Sequence, residues 1–228
     1  MTRLDPRIAA GTTRMLERRR GELDDGATHL GWKAGFGAPA ALERLGTDRP
    51  LVGYLTRERL LDDGATVSLA GMTQPVLEAE VALHLAHEVP AGADAAEAQA
   101  AVGTVSVAIE IADLDVPPSD VEEIVGGNIY HRHVVLGPEV EVRTTSTLTA
   151  VVRRDGDEVA RTDDPEALTG DVAGVLASMA DTLAATGGTT AAGDVVITGS
   201  VVPPVPLVPG EWAVTFAGLG EVTVRVTP

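Results

Sequence analysis

Apolar and polar residues alternate with a period of two in VLEAEVALHLA (residues 76–86) and in TVSVAIEIA (104–112). A period of two marks β-strands, whose successive side chains point to opposite faces. In the first stretch Leu77, Ala79, Val81, Leu83 and Leu85 share one face, and Glu78, Glu80, Ala82 and His84 the other. In the second, Val105, Val107, Ile109 and Ile111 oppose Ser106, Ala108, Glu110 and Ala112. The odd-numbered faces read as core. ADAAEAQAAVG (93–103) predicts a helix linking the two strands.

Other periods fill in the rest. Residues 4–23 predict a charged amphipathic helix with Leu4, Ile8, Met15 and Leu16 as its apolar stripe. Residues 29–36 look extended, APAALERLG predicts a short helix stopped at Gly46, PLVGYL is an apolar run and DDGAT a turn. TLTAVVRRDGDEVAR (147–161) predicts a hairpin turning at Asp155-Gly156. DPEALTGDVAGVLASMADTLAATGG (164–188) predicts one long helix, and short strands close the chain. Helices and short strands mix without repeating the β-α-β unit, which predicts an α+β class.

Composition narrows the picture. With 228 residues, 44% apolar, the chain predicts a single domain spanning 1–228 with one sizeable core. Six aromatic residues leave that core to Val, Leu, Ile and Ala. A net charge of −17 argues against nucleic acid or an anionic membrane as partner. The lack of cysteine excludes disulfides, thiolate metal sites and cysteine nucleophiles. The N-terminus has no apolar leader and no run approaches the length of a membrane span, so a cytoplasmic protein is expected.

The candidate chemistry lies on the even faces. Glu78 and Glu80 stand roughly 7 Å apart along their strand, and small residues flank Glu110. Two readings fit: a solvated sheet face, or three carboxylates converging on a hard divalent cation, Mg²⁺ or Mn²⁺ rather than Zn²⁺. Lys33, in HLGWKAGFG, is the only lysine; the other sixteen basic residues are arginine. An ammonium can give up its proton in a buried site and a guanidinium cannot, which makes Lys33 a candidate proton-transfer group.

These pieces, in this order, resemble the fumarylacetoacetate hydrolase superfamily. The branch they resemble is that of 2-keto-4-pentenoate hydratases and 4-oxalocrotonate decarboxylases. GWKAGF is similar to its Gly-x-Lys-x-Gly segment, QPVLEAEVALHL to its QP-x-x-E-x-E-x-A strand, and AIEIAD to its third-ligand strand. GGNIYHRHVVLG stands where the branch has an Asp-Asn segment, and GDVVITGSVVPPVPLVPGE is similar to its closing hairpin. The resemblance implies a mixed β-roll with peripheral helices, in which residues 1–58 carry Lys33 and 59–228 form the roll. It implies metal ligation by Glu78, Glu80 and Glu110, catalysis by Lys33, and a homo-oligomer. It implies a lyase acting on a small 2-oxo or 2-hydroxydienoic acid, hydratase first. A decarboxylase, an acylpyruvate hydrolase and a non-catalytic metal-binding member are the alternatives. Asn128, Tyr130, Arg132 and Ser200 are the expected substrate-binding residues. The sequence departs from the branch after the third Glu, where DLDVPP carries no arginine, and in Tyr130-His131-Arg132-His133. Arg132 is the expected stand-in for the missing arginine, on a distal carboxylate.

Overall fold

The computed structural model describes residues 4–141 and 148–228. Thr147, the first residue of the expected hairpin stretch, lies outside them. In chain order the elements are α1 (Pro6–Asp24), β1 (His29–Gly35), α2 (Pro39–Leu45), β2 (Leu51–Thr56), β3 (Leu60–Leu61), β4 (Thr66–Ser68), β5 (Pro75–Leu85), α3 (Ala95–Ala101), β6 (Val102–Asp113) and α4 (Val121–Gly126). They continue with β7 (His131–Leu136), β8 (Ala150–Arg154), β9 (Asp157–Thr162), α5 (Glu166–Thr169), α6 (Val172–Thr186), β10 (Val195–Ser200), β11 (Val205–Pro206), β12 (Gly210–Phe216) and β13 (Gly220–Thr227).

Local chemistry sets the helix ends. The Asp5 side chain accepts from the Arg7 N–H and Pro6 opens α1, while Asp94 and Glu97 close a reciprocal capping box on α3. The expected long helix over 164–188 is two. Gly170, at φ 78°, takes the chain out of helical geometry after α5, and Asp171 then caps α6 by accepting from the Gly174 N–H. Gly170 and Asp171 are a stop and a start signal inside a stretch whose helix-favouring residues read as continuous. The hairpin β8–β9 turns at Asp155 and Gly156 as expected.

The strands form two sheets. The larger has the order β2-β1-β10-β5-β6-β7-β3, with β11 added to β5; the smaller has β4-β13-β12-β8-β9. β1 runs parallel to β10 and antiparallel to β2, and β5 runs antiparallel to both β10 and β6. Strands β1 and β2 therefore share a sheet with β5 to β7. The large sheet curls, giving a mixed β-roll with its helices at the periphery.

Both faces of this sheet are buried. The odd-numbered residues of β5 and β6 join the main core with Trp32, Trp212, Phe216 and the apolar faces of α1 and α6. The even-numbered side holds a second apolar cluster of Leu30, Leu55, Ala82, Ala108, Val134, Val195 and Ile197. The even face is thus not solvated, and its carboxylates sit above an apolar floor inside the curl. Among the described residues no helix is long and apolar enough to cross a membrane.

Candidate active site

The three acids come together because of strand register. Glu78 on β5 is paired directly across from Glu110 on β6, and Glu80 lies one pleat further along β5. One carboxylate oxygen from each residue falls within 4.8 Å of the others. Glu80 and Glu110 are fully buried and Glu78 is half-buried at the cavity wall. Like charges facing each other across a strand pair oppose folding.

Protein donors satisfy only part of this cluster. Glu80 Oε2 accepts from the Gly199 N–H at 2.7 Å. Glu110 Oε1 accepts from both Lys33 Nζ and His131 Nδ1, the latter at 2.7 Å. Glu80 Oε1 and Glu110 Oε2 are buried and have no partner among the described residues. A buried carboxylate oxygen without donor or cation is strongly unfavourable. Three hard oxygen donors with two unpartnered buried atoms suit a divalent cation of the Mg²⁺ or Mn²⁺ type.

The environment splits the three acids. Burial, and then the charge of Glu110, pushes the Glu78 carboxyl up to about 7. Burial raises Glu80 well above the ordinary range, reinforced by both other acids. Burial acts on Glu110 in the same direction, but the charge of Lys33 and the hydrogen bond from His131 overrule it and hold the group at about 2. Glu110 is the permanent anion of the cluster. His131, wholly buried, is driven down by burial despite Glu110 beside it.

Lys33 reaches this point from β1. Its Nζ donates to Glu110 and, at 3.1 Å, to the Ile129 carbonyl, and the residue is 2% exposed. The neighbouring position on β2 is Gly53, and it has to be small. A Cβ there would lie 2.7 Å from Asn128 Oδ1 and 2.9 Å from Lys33 Cγ. Asn128 closes the other side: its Oδ1 accepts from the Tyr54 N–H at 2.7 Å and its Nδ2 donates to the Tyr54 carbonyl at 3.0 Å. Asn128 therefore brackets β2 rather than facing the cavity.

Residues 128–130 take φ values of 64°, 48° and 61°, three successive left-handed residues without a glycine. Such geometry costs about 1–3 kcal/mol per residue and is found where surroundings enforce it. It breaks strand alternation, so that Tyr130 and His131 both face the site. Tyr130 lines the cavity with its hydroxyl buried and unpartnered, and His131 touches Glu110.

The cavity beside the acids is about 410 Å³, within the usual range for small-molecule sites. Lys33, Glu78, Arg44, Tyr130 and Ser200 supply its polar edge, while Phe36, Val76, Leu114, Ile129 and Val202 supply apolar wall. Ser200 sits on β10, its Oγ donating to the Val202 carbonyl at 2.7 Å. Arg132 lies elsewhere. It lines a neighbouring cleft with Arg14, Arg18 and Arg59, and pairs with Asp115 at 2.8 Å. His29 bonds Asp194 at 3.2 Å and does not line the cavity; His84 bonds Ser106 Oγ at 2.9 Å. Sequence reasoning passed over Arg44, which lies in the short predicted helix APAALERLG with no motif to single it out, and the Gly199 N–H, which carries no side-chain signal.

Comparison with known proteins agrees with this geometry. Residues 34–227 match the Fumarylacetoacetate (FAA) hydrolase C-terminal family. The chain is 31% identical over 210 residues to a 2-keto-4-pentenoate hydratase of Burkholderia vietnamiensis, covering 89% of this chain and 80% of that one. It is 28% identical over 219 residues to a 4-oxalocrotonate decarboxylase of Pseudomonas putida, covering 92% and 81%. Among solved structures, 4-oxalocrotonate decarboxylase from Pseudomonas putida G7 complexed with magnesium and adipate superposes with a TM-score of 0.87 at 24% identity, over 93% of this chain and 83% of that one. Fumarylpyruvate hydrolase from Pseudomonas aeruginosa in complex with Mn²⁺ and pyruvate gives 0.69 at 16% identity, over 88% and 90%. The chain belongs to the fumarylacetoacetate hydrolase family.

Proposed function

We propose that this protein is a divalent-metal-dependent lyase for a small 2-oxo or 2-hydroxydienoic acid, running a 2-keto-4-pentenoate hydratase-like reaction. The observation that carries the reading is the meeting of Glu78, Glu80 and Glu110 beside Lys33, with Glu78 and Lys33 on the wall of a largely apolar cavity. Glu78, Glu80 and Glu110 would hold Mg²⁺ or Mn²⁺. When bound, that ion supplies Lewis-acid stabilisation of the negative charge that develops on the substrate's 2-oxygen.

The chain's own groups do the rest. Lys33 Nζ gives and takes the proton at the substrate carbon chain. Glu110 and the Ile129 carbonyl aim that amine, and His131 fixes the Glu110 carboxylate from the opposite side. Tyr130 offers a free hydroxyl to the bound acid, Ser200 can do so by turning its hydroxyl from the Val202 carbonyl, and the apolar wall excludes bulk water around an enolate-like intermediate. Loss of CO₂ passes through the same kind of intermediate, so decarboxylation is the second reading, favoured by the likeness to the decarboxylase of Pseudomonas putida.

The test is solvent deuterium exchange at C3 of a 2-oxo acid with Mg²⁺ present, followed by NMR. Hydration and CO₂ release are scored separately on dienoate substrates. Lys33→Ala should slow exchange by about 10²–10⁴-fold while Mn²⁺ still binds. Undiminished exchange in that variant rejects the role of Lys33. A cytoplasmic homo-oligomer completes the reading; light scattering of the purified chain tests the assembly and cell fractionation the compartment.

A further inference from the structure

The chain has six aromatic residues, and four of them, Trp32, Tyr54, Trp212 and Phe216, are packed in the core. The other two, Phe36 and Tyr130, line the cavity together with Glu78 and Lys33. Their ring centroids lie 6.3 Å apart, with the planes tilted by 50°. Both residues sit in the left-handed region, Phe36 at φ 58° and Tyr130 at φ 61°. A bulky side chain at such a φ is an outlier that its surroundings have to enforce. The two come from different segments: Phe36 follows the end of β1, and Tyr130 ends the left-handed run before β7. Two separate backbone distortions therefore converge on one result, an aromatic pair on the cavity wall.

The pair is tied to the segments that hold Lys33. The Ile129 carbonyl, one residue before Tyr130, accepts from Lys33 Nζ at 3.1 Å, and Phe36 is three residues beyond Lys33. Val76, Leu114 and Val202 add aliphatic surface to the same cavity. Its volume of about 410 Å³ has room for about a dozen water-sized groups, more than a pentenoate-sized acid fills. Aromatic rings pack on one another in tilted or offset arrangements and gain beyond the area they bury. We propose that Phe36 and Tyr130 form an aromatic wall that selects 2-oxo acids carrying an aryl group over acids of equal size with a saturated tail. This deepens the lyase reading and rests on it, because the head of the acid is taken to be held at the glutamate cluster.

Calorimetry with Mg²⁺ on the full chain tests the wall, with four probes: pyruvate, 2-oxohexanoate, 4-phenyl-2-oxobutanoate and 4-cyclohexyl-2-oxobutanoate. The unmodified protein should bind the phenyl acid at least about tenfold more tightly than 2-oxohexanoate, from its larger apolar area. It should also prefer the phenyl acid to the cyclohexyl acid by about threefold or more, which area alone does not supply. Phe36→Leu keeps an apolar side chain and removes the ring. It should cut the phenyl-over-cyclohexyl preference to under about twofold and leave pyruvate affinity within about twofold. Tyr130→Phe keeps its ring and should keep the preference. Pyruvate binding with no preference for the phenyl over the cyclohexyl acid in the unmodified protein overturns the wall and leaves the lyase reading standing; that comparison holds whether or not a variant folds. An undiminished preference in Phe36→Leu also overturns the wall. Failure of all four probes to bind rejects the lyase reading, and the wall with it.

Discussion

Two cavities meet at Tyr130, and they treat charge in opposite ways. In the cleft that contains Arg132, every lining arginine has a carboxylate: Arg14 with Glu122 and Glu123, Arg18 and Arg59 with Glu22, Arg132 with Asp115. Beside the glutamate cluster, among the described residues Arg44 has none, and Glu80 Oε1, Glu110 Oε2 and the Tyr130 hydroxyl have no partner. Paired charge on a surface holds helices and strands in place at little net gain. Unpaired polar groups in a buried site are unfavourable to folding and persist where a ligand completes them. The comparison teaches that the site is recognised by charge left unpaired, not by where the charge is densest; neutral atoms do not separate the two, since His131 Nε2 and His133 Nδ1 of the second cleft are also buried without a partner among the described residues.

The sharpest way to break this contrast is Glu80→Gln. It takes one negative ligand from the cluster while keeping an acceptor for the Gly199 N–H. Mn²⁺ affinity should fall by more than about 100-fold, and turnover with it. Calorimetric titration of Mn²⁺ reads the effect. Unchanged affinity would mean that the buried oxygens are satisfied some other way, and the metal site would fail.

Gly53→Ala comes next. The added methyl meets Asn128 Oδ1 and the Lys33 stem together. Overpacking of this kind costs about 1–3 kcal/mol. Denaturant unfolding should show that loss, and exchange activity should drop further than stability alone explains, because Lys33 is displaced. A variant as stable and active as the parent would show that the wall between β1 and β2 yields easily.

A weaker effect follows from the acids themselves. The folded-state carboxyl of Glu78 is raised to about 7 from an ordinary 4.5, and Glu80 moves in the same direction. The folded state therefore binds protons that the unfolded chain has already released. Their stabilising contribution is complete below pH 4.5 and is lost as pH rises toward 7. Glu110, held at about 2, has the opposite sign, and its contribution is lost only as pH falls from 4.5 toward 2. In EDTA, the melting temperature should decline between pH 5 and 8, and saturating Mg²⁺ should flatten that slope. A metal-free slope that rises instead contradicts the raised carboxyls.

Much of this was legible before the fold was known. Strand alternation placed Glu78, Glu80 and Glu110 on one face, and the uniqueness of Lys33 singled out its segment. Those signals are local, and register then did the convergence. Three features were not legible, each because tertiary context overrides local pattern. The helix-favouring composition of 164–188 concealed the break at Gly170. The left-handed path through Asn128, Ile129 and Tyr130 was not legible, since only Asn128 has any tendency toward that region and Ile129 and Tyr130 disfavour it. Arg44 and Arg132 are both arginines near turns, and only the folded chain shows that one faces the cavity and the other a row of acids.

The smallest effect is the one that isolates the contrast between the two cavities. Arg132→Gln removes a guanidinium from the paired cleft: Asp115 is exposed and able to take up water, and buried Asp113, which Arg132 reaches only at 3.5 Å, keeps the Thr73 and Gln74 N–H donors on its other oxygen. Exposed ion pairs contribute about 0–1 kcal/mol, so unfolding should shift by no more than that. C3 exchange and 2-oxo acid affinity should stay within about twofold of the parent, because the side chain lines the other cleft and its charge is already neutralised. Arg44→Gln, equal in chemistry and also on the protein's rim, should do the reverse: little change in stability and a loss of 2-oxo acid affinity. Should Arg132→Gln instead abolish acid binding while Arg44→Gln spares it, the pairing criterion fails. The second cleft would then hold the acid, reached through a movement of Tyr130.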